Sequence, residues 1–391
     1  MDRRPVSRLA ELGPLGVGLV TIVIAAIFVM ARFAVAADLD ESKFIVAGDS
    51  FVDPTTTPVH VHVFEGSGYD GQFYFRQAID PFEMTLESRH GVRMDQDLRV
   101  GRITYPILAW LSSLGRPAAA PWALIGVNVI GLGVVAGLGG LYARDHGRRA
   151  WWGLMIAGST GLTMTLSRDL CEIVMVAGLV GGVVSLGRRR PLIAGACWIA
   201  AVLAHEQSLV IVGAYAAFRI VQVVARRIGP GRDDLAWVVP GFAFVAWQVA
   251  ASFALGHLPI LGSGEKNLGP PFHGLALELS RWFRGESPGQ EILFVPQLAF
   301  VIGLVVVAFT RHRALPERER WLTWALIGSV LLAVSLSENV WKGPAELRTI
   351  VIVPTLAWLV VIGARRRVPV ALTTVAVVLG VLTAGLRVFA I

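Results

Sequence analysis

The residues of this sequence able to do chemistry fall in a few short polar stretches embedded in apolar chain. Gly68-Tyr69-Asp70-Gly71-Gln72 sets one acid between glycines, ahead of Phe73-Tyr74-Phe75-Arg76, with Arg102 and Tyr105 further on. A carboxylate so placed can take a proton from a hydroxyl. Asp is equally suited to capping the helix expected next, an aromatic, amphipathic stretch that would lie at a membrane surface. Arg168, Asp169 and Glu172 form a second group, and His205 with Glu206 a third. Each tips a tight apolar hairpin, where ionisable side chains are costly unless they face a wet cavity or one another. A structural ion pair of Arg168 with Asp169 or Glu172 would also account for the second group. The fourth stretch, 338–348, carries Lys342 and Arg348. Both can hold an anion, and arginine can bind phosphate through two parallel N–H bonds. Interfacial anchoring would explain Trp341 and Lys342 equally well. Val59, Val61 and Val63 alternate with His60 and His62, which predicts a short strand over 57–64 with both histidines on one face. Without a third ligand the pair is a weak metal site.

The elements that must position these groups follow from composition. Of 391 residues, 54% are hydrophobic and 16% charged, with a mean hydropathy of +0.63. A soluble domain carries about 25% charged residues, so the apolar excess must face lipid. Apolar runs at 13–37, 121–143, 151–167, 173–187, 191–204, 208–225, 235–255, 291–310, 321–337, 349–363 and 370–389 are eleven candidate spans. With a cytoplasmic N-terminus, every second connection is arginine-rich, including Arg188-Arg189-Arg190 and Arg365-Arg366-Arg367, as expected for cytoplasmic loops. The net charge of +7 is therefore a topology signal and gives no support for nucleic-acid binding. The run 103–114 is too short to cross and reads as an interfacial helix. Ala34-Val35-Ala36 resembles a signal-peptide cleavage site, but the long apolar stretch and Arg32 favour a retained first span.

The expected fold is an all-α polytopic membrane protein of about eleven transmembrane helices. Residues 1–37 form the cytoplasmic N-terminus and first helix, 38–120 an extracytoplasmic loop domain, and 121–391 a helix bundle with an outer loop at 256–290. The segment 38–102 has 12 acids against 6 bases, too much polar chain for a mere connector. The Gly/Pro-rich 256–290 loop reads as a mobile cover. Glycines 133/137 and 178/182 have the spacing of closely packed helices. Cys171 and Cys197 imply neither a disulfide framework nor a zinc site. No phosphate-cradling GxxxxGK[ST], strand-linked GxGxxG or GxSxG occurs, which leaves nucleotide-binding and serine-hydrolase readings unsupported.

This arrangement resembles the GT-C glycosyltransferases, polytopic enzymes that use polyprenyl-phosphate sugars at the outer face of the membrane. Gly68 to Tyr74 with Arg102-Ile103-Thr104-Tyr105-Pro106 looks like the first-loop signature of an uncharacterised bacterial subfamily. Leu203-Ala204-His205-Glu206-Gln207-Ser208 looks like its Leu-x-Arg-Glu-Thr element, and Trp341 to Arg348 like its late outer loop. His205 departs from that pattern by replacing arginine, and a neutral imidazole would not supply the same charge to phosphate. The resemblance implies a bacterial inner-membrane enzyme with Asp70 as base, and Asp38, Asp40 and Glu41 as rivals. It further implies a polyprenyl-phosphate sugar donor, a lipid or glycan acceptor, and substrate contacts from Tyr69, Gln72, Arg102, Tyr105, Arg168, Asp169, Glu172, His205, Glu206, Lys342 and Arg348. Members with and without a divalent metal both occur in the superfamily. The alternatives are a secondary transporter relaying ions through Asp169, Glu172, His205 and Glu206, a lipid-glycan ligase or polymerase, and a membrane scaffold.

Overall fold

The computed structural model describes residues 12–226, 229–262, 267–286, 292–341, 345–364 and 366–390. Among the described residues, six helical stretches are long and apolar enough to cross a membrane: Pro14–Val35, Pro117–Asp145, Glu206–Ala225, Arg232–Leu255, Phe294–Ala314 and Val370–Phe389. The remaining apolar runs form shorter helices, so six full-length spans stand where eleven were expected. The run 151–167 breaks at Gly158 and Ser159 into α5 (Gly153–Ala157) and α6 (Thr160–Ser167). Helices α7 (Glu172–Gly187), α8 (Pro191–Ala204) and α15 (Ile352–Gly363) have 16, 14 and 12 residues. At 1.5 Å per residue, about 24 Å is the most any of them can span, short of the roughly 30 Å of hydrocarbon.

Two of these short helices, α7 and α15, form the interior. All residues of α15 are buried, as is nearly all of α7. Around them run α1 (Pro14–Val35), α4 (Ala120–Asp145), α9 (Leu209–Arg226), α10 (Leu235–Leu255), α12 (Phe294–Arg311), α13 (Trp321–Val334) and α16 (Val370–Phe389). Their outward faces are apolar, with Phe253, Leu15, Phe242 and Val381 largely exposed. Apolar surface on this scale needs lipid rather than water against it. Close packing uses the spaced glycines: a Cβ on Gly133 would lie 2.9 Å from the Gly18 carbonyl, and one on Gly178 2.6 Å from that of Cys197.

The segment between α1 and α4 folds over one end of the bundle. Of the strand expected over 57–64 only Val63–Phe64 forms, pairing in parallel with Ala47–Gly48. Helix α2 (Gly71–Ile79) is buried along its whole length rather than lying at a membrane surface, because its aromatics pack inward. Arg76 donates to the carbonyls of Thr85, Glu87 and Val92 and so pins the irregular chain that follows. Helix α3 (Thr104–Ser112), the expected interfacial element, packs on α4. The described part of the loop read as a mobile cover is tied down by backbone bonds. Gly269 and Phe272 donate to Ser335 and Val334, and Ser337 donates to Asn267. That fixes α11 (His273–Phe283) beside α14 (Glu338–Trp341).

Candidate active site

A cavity of about 630 Å³ opens where the loop segment, α9, α13 and the residues around α14 meet. Its polar lining includes Tyr69, Asp70, Gln96, Arg99, Arg102, His205, Glu206 and Arg348, and its apolar lining Leu209, Val210, Leu332, Leu336 and Val340. Both size and amphipathic lining are typical of small-molecule sites.

Asp70 reaches this lining through the local geometry of its motif. Gly68 turns with φ +62°, a left-handed conformation that side chains disfavour. A Cβ on Gly71 would lie 2.6 Å from the Ile45 carbonyl and 2.7 Å from that of Arg168. Only glycine lets α2 begin this close to the hairpin tip. Asp70 occupies the N-cap position but makes no side-chain capping bond. Its Oδ2 instead accepts from Arg99 Nη1 at 2.7 Å and Arg348 Nη2 at 2.9 Å. Burial pushes this carboxyl up, yet Arg99 and Arg348, helped by Arg102, outweigh it and hold the group well below the usual carboxylate range.

The arginines are themselves fixed. Arg348 donates Nη1 to Glu172 at 2.6 Å and Nε to the Tyr69 hydroxyl at 2.8 Å. Its backbone approaches so closely that a Cβ on Gly161 would be 3.0 Å from the Arg348 Cα. Arg99 holds Asp95 in a two-bonded fork, 3.0 and 3.2 Å, and lies over the Phe73 ring. Arg102 holds Glu206 in another, 2.9 and 2.6 Å, with its Nη1 3.4 Å from the Tyr74 hydroxyl. Tyr69 is sandwiched between the guanidinium groups of Arg168 and Arg348, 4.4 and 4.7 Å from its ring centre.

The structure thus brings Tyr69, Asp70, Arg102, His205, Glu206 and Arg348 to one cavity, with Glu172 behind Arg348 and Arg168 behind Tyr69. It sets three other expected residues apart from the lining. Gln72 spends its amide on the backbone of Gly48 and Ser67, and the Tyr105 hydroxyl donates to the Leu124 carbonyl while accepting from Asn128. Asp169 is fully buried, and neither carboxylate oxygen has a hydrogen-bond partner among the described residues. Glu172 pairs with Arg348 rather than Arg168. Trp341 is buried, edge-on to Phe294, and so is no surface anchor. Lys342 lies outside the described residues. Of the rival acids, Asp38 pairs with Lys43, and Asp40 caps its own short turn through Ser42 and faces His60. The residue that sequence reasoning passed over is Arg99; its signal was the i, i+4 spacing from Asp95. Among the described residues no group of three or more His, Cys, Asp or Glu stands together as metal ligands, and Asp70, Glu172 and Glu206 are each engaged by arginine. This donor set does not fit a resident divalent ion.

No family model and no curated protein matches the chain. Among solved structures it is similar to the Archaeoglobus fulgidus oligosaccharyltransferase tethered to an acceptor peptide containing the NVT sequon, at 14% identity and a TM-score of 0.43. The match covers 95% of this chain and 55% of that one, so the chain spans about half that protein's length. A superposition this loose carries no argument about fold or activity.

Proposed function

We propose that the protein is a membrane glycosyltransferase that moves a sugar from a polyprenyl-phosphate donor to an acceptor hydroxyl at the outer face of the bacterial cytoplasmic membrane. The observation that carries this reading is the contact of Asp70 with Arg348 in a cavity lined by both charged and apolar side chains. A prenyl chain suits the apolar lining of Leu209, Val210, Leu332 and Leu336. Its phosphate suits Arg348 and Arg102, which present planar N–H forks. Asp70 would take the acceptor proton as the acceptor oxygen bonds to the sugar's anomeric carbon. The bond from that carbon to the phosphate oxygen then breaks, its electron pair leaving with polyprenyl phosphate. Glu172 and Glu206 keep the arginines oriented, while Tyr69 and the neighbouring Gln96 face the sugar. The resemblance of 68–74, 203–208 and 341–348 to GT-C motifs supports the same assignment.

The test is purification with native lipids, identification of any co-purified polyprenyl-phosphate sugar, and assay of its transfer in nanodiscs. Transfer by the wild-type protein and its loss in a folded Asp70→Asn variant are expected. Undiminished transfer by that variant would remove Asp70 from the role, and a protein that moves the intact lipid-linked sugar across the bilayer would be a transporter.

A further inference from the structure

The guanidinium groups lining the cavity are already engaged by carboxylates. Arg99 holds Asp70 and Asp95, Arg348 holds Asp70 and Glu172, and Arg102 holds Glu206. Among the described residues, Arg99, Arg102 and Arg348 thus share Asp70, Asp95, Glu172 and Glu206. In that state Asp70 is a poor proton acceptor, because one oxygen receives two charged hydrogen bonds. A general base works best with a pKa nearer the operating pH. The two arginines on Asp70 are not equivalent. Arg99 is anchored by its fork to Asp95 and by the Phe73 ring beneath it. Arg348 comes from the far end of the chain, follows the left-handed Leu347 (φ +59°), and lines the cavity where a phosphate would arrive.

We propose that Asp70 is a masked base that the donor unmasks: the donor's phosphate engages Arg348, while Arg99, a positioning residue, stays on Asp70 and keeps it aimed. The proposal rests on the glycosyltransferase reading. A polyprenyl-phosphate sugar is a phosphodiester and brings one negative charge into a buried cluster where, among the described residues, Arg99, Arg102 and Arg348 are already engaged by carboxylates. Whichever N–H groups it takes, the proton affinity of the nearby carboxylate must rise. By reciprocity, protonating Asp70 must tighten donor binding. The base is then competent only with donor in place. It takes the acceptor proton as the sugar transfers, and polyprenyl phosphate departs from Arg348.

The pH profile of kcat/KM reports the free enzyme and that of kcat the donor-bound enzyme, so in nanodiscs the acid limb of kcat should lie about one pH unit or more above that of kcat/KM. Arg99→Gln should move both limbs upward. Arg348→Gln should move the kcat/KM limb upward, leave the kcat limb in place and raise KM roughly tenfold. Arg348→Lys, which keeps the charge, should restore most of the donor affinity if the glutamine variant is unstable. Coincident limbs in the wild-type enzyme would overturn the proposal. A probe that does not titrate, farnesyl methyl phosphodiester, reads the same linkage without sugar transfer. It should bind wild-type protein roughly threefold more tightly at pH 4.5 than at pH 7, and Asp70→Asn equally at both. Equal wild-type binding at both pH values overturns the masked base and leaves the glycosyltransferase reading standing. Transfer absent from every lipid-phosphate sugar, with pH-dependent probe binding intact, overturns the glycosyltransferase reading instead.

Discussion

The helix bundle carries clustered charge at both ends. At one end Asp70, Glu172 and Glu206 meet Arg99, Arg102 and Arg348; at the other, Asp145, Asp234 and Glu319 meet Arg188, Arg219 and Arg318. The second end also has cavities, of about 250 and 340 Å³, near Glu319. Residue types therefore do not distinguish the two, and the pattern of partners does. Arg188 and Asp145 form a self-contained pair, 41% and 35% exposed, of the kind that contributes little. Around Asp70, single groups are shared: Arg348 touches two acids and a tyrosine, and Asp70 touches two arginines. Glu319 at the second end is also buried and shared, between Tyr142 and His146, but around Asp70 the sharing runs among several acids and several arginines, so that their charges respond to one another.

That contrast can be broken by mutation. The largest effect is expected on activity: Asp70→Asn should lower sugar transfer roughly 10²–10⁴-fold, while Glu319→Gln should leave it within about twofold, read by radiolabelled transfer in nanodiscs. Comparable losses from both would abolish the distinction. Next comes stability. Removing Arg348 strands Glu172, only 2% exposed, and leaves Asp70 on Arg99 alone, so Arg348→Ala should cost roughly 3–5 kcal/mol. Arg188→Ala should cost no more than about 1 kcal/mol, both measured by unfolding in detergent. A methyl on Gly71 meets two backbone carbonyls, so Gly71→Ala should cost about 1–3 kcal/mol. The nearest atom to a methyl on Gly187 is Glu319 Oε1 at 3.8 Å, and Gly187→Ala should stay within about 0.5 kcal/mol.

The smallest effect sharpens the comparison through pH. His146 Nδ1 faces the Tyr142 carbonyl and Nε2 the Glu319 carboxylate, both at 2.8 Å, so both nitrogens meet acceptors. Burial pushes the imidazole down, but Glu319, with the Tyr142 carbonyl, raises it above its ordinary 6.5. A raised folded-state value means this stabilisation is fully present below pH 6.5 and is lost as pH rises through the folded value. The melting temperature should fall modestly over that window, and Glu319→Gln should flatten the fall. Asp70, held low, contributes in the opposite sense: its stabilisation is present above the unfolded pKa of 3.8 and is lost only in strong acid.

What could be read from sequence followed from cost. Charges inside apolar chain are expensive, so Glu172, Glu206 and Arg348 stood out before any coordinates. Arg99 and Asp95 did not, because in a polar loop they look like any solvated pair. Gln72 and Tyr105 were over-read because they sit within a suggestive motif, yet their polar atoms satisfy backbone groups. Helix length was misjudged where hydropathy continued but backbone did not, as at Gly158 and Ser159. The strand over 57–64 failed because alternation describes one edge and cannot supply a partner; only two residues found one in Ala47–Gly48.

The three anchors of Arg348 lie 176 to 279 residues before it in the chain. During synthesis Asp70 soon meets Arg99, but Glu172 is made long before its countercharge exists. A nascent chain arrested ahead of residue 348 would hold the Glu172 carboxylate in search of a cation. The arginine's arrival is thus a late checkpoint in biogenesis, at which a half-made bundle becomes distinguishable from a finished one.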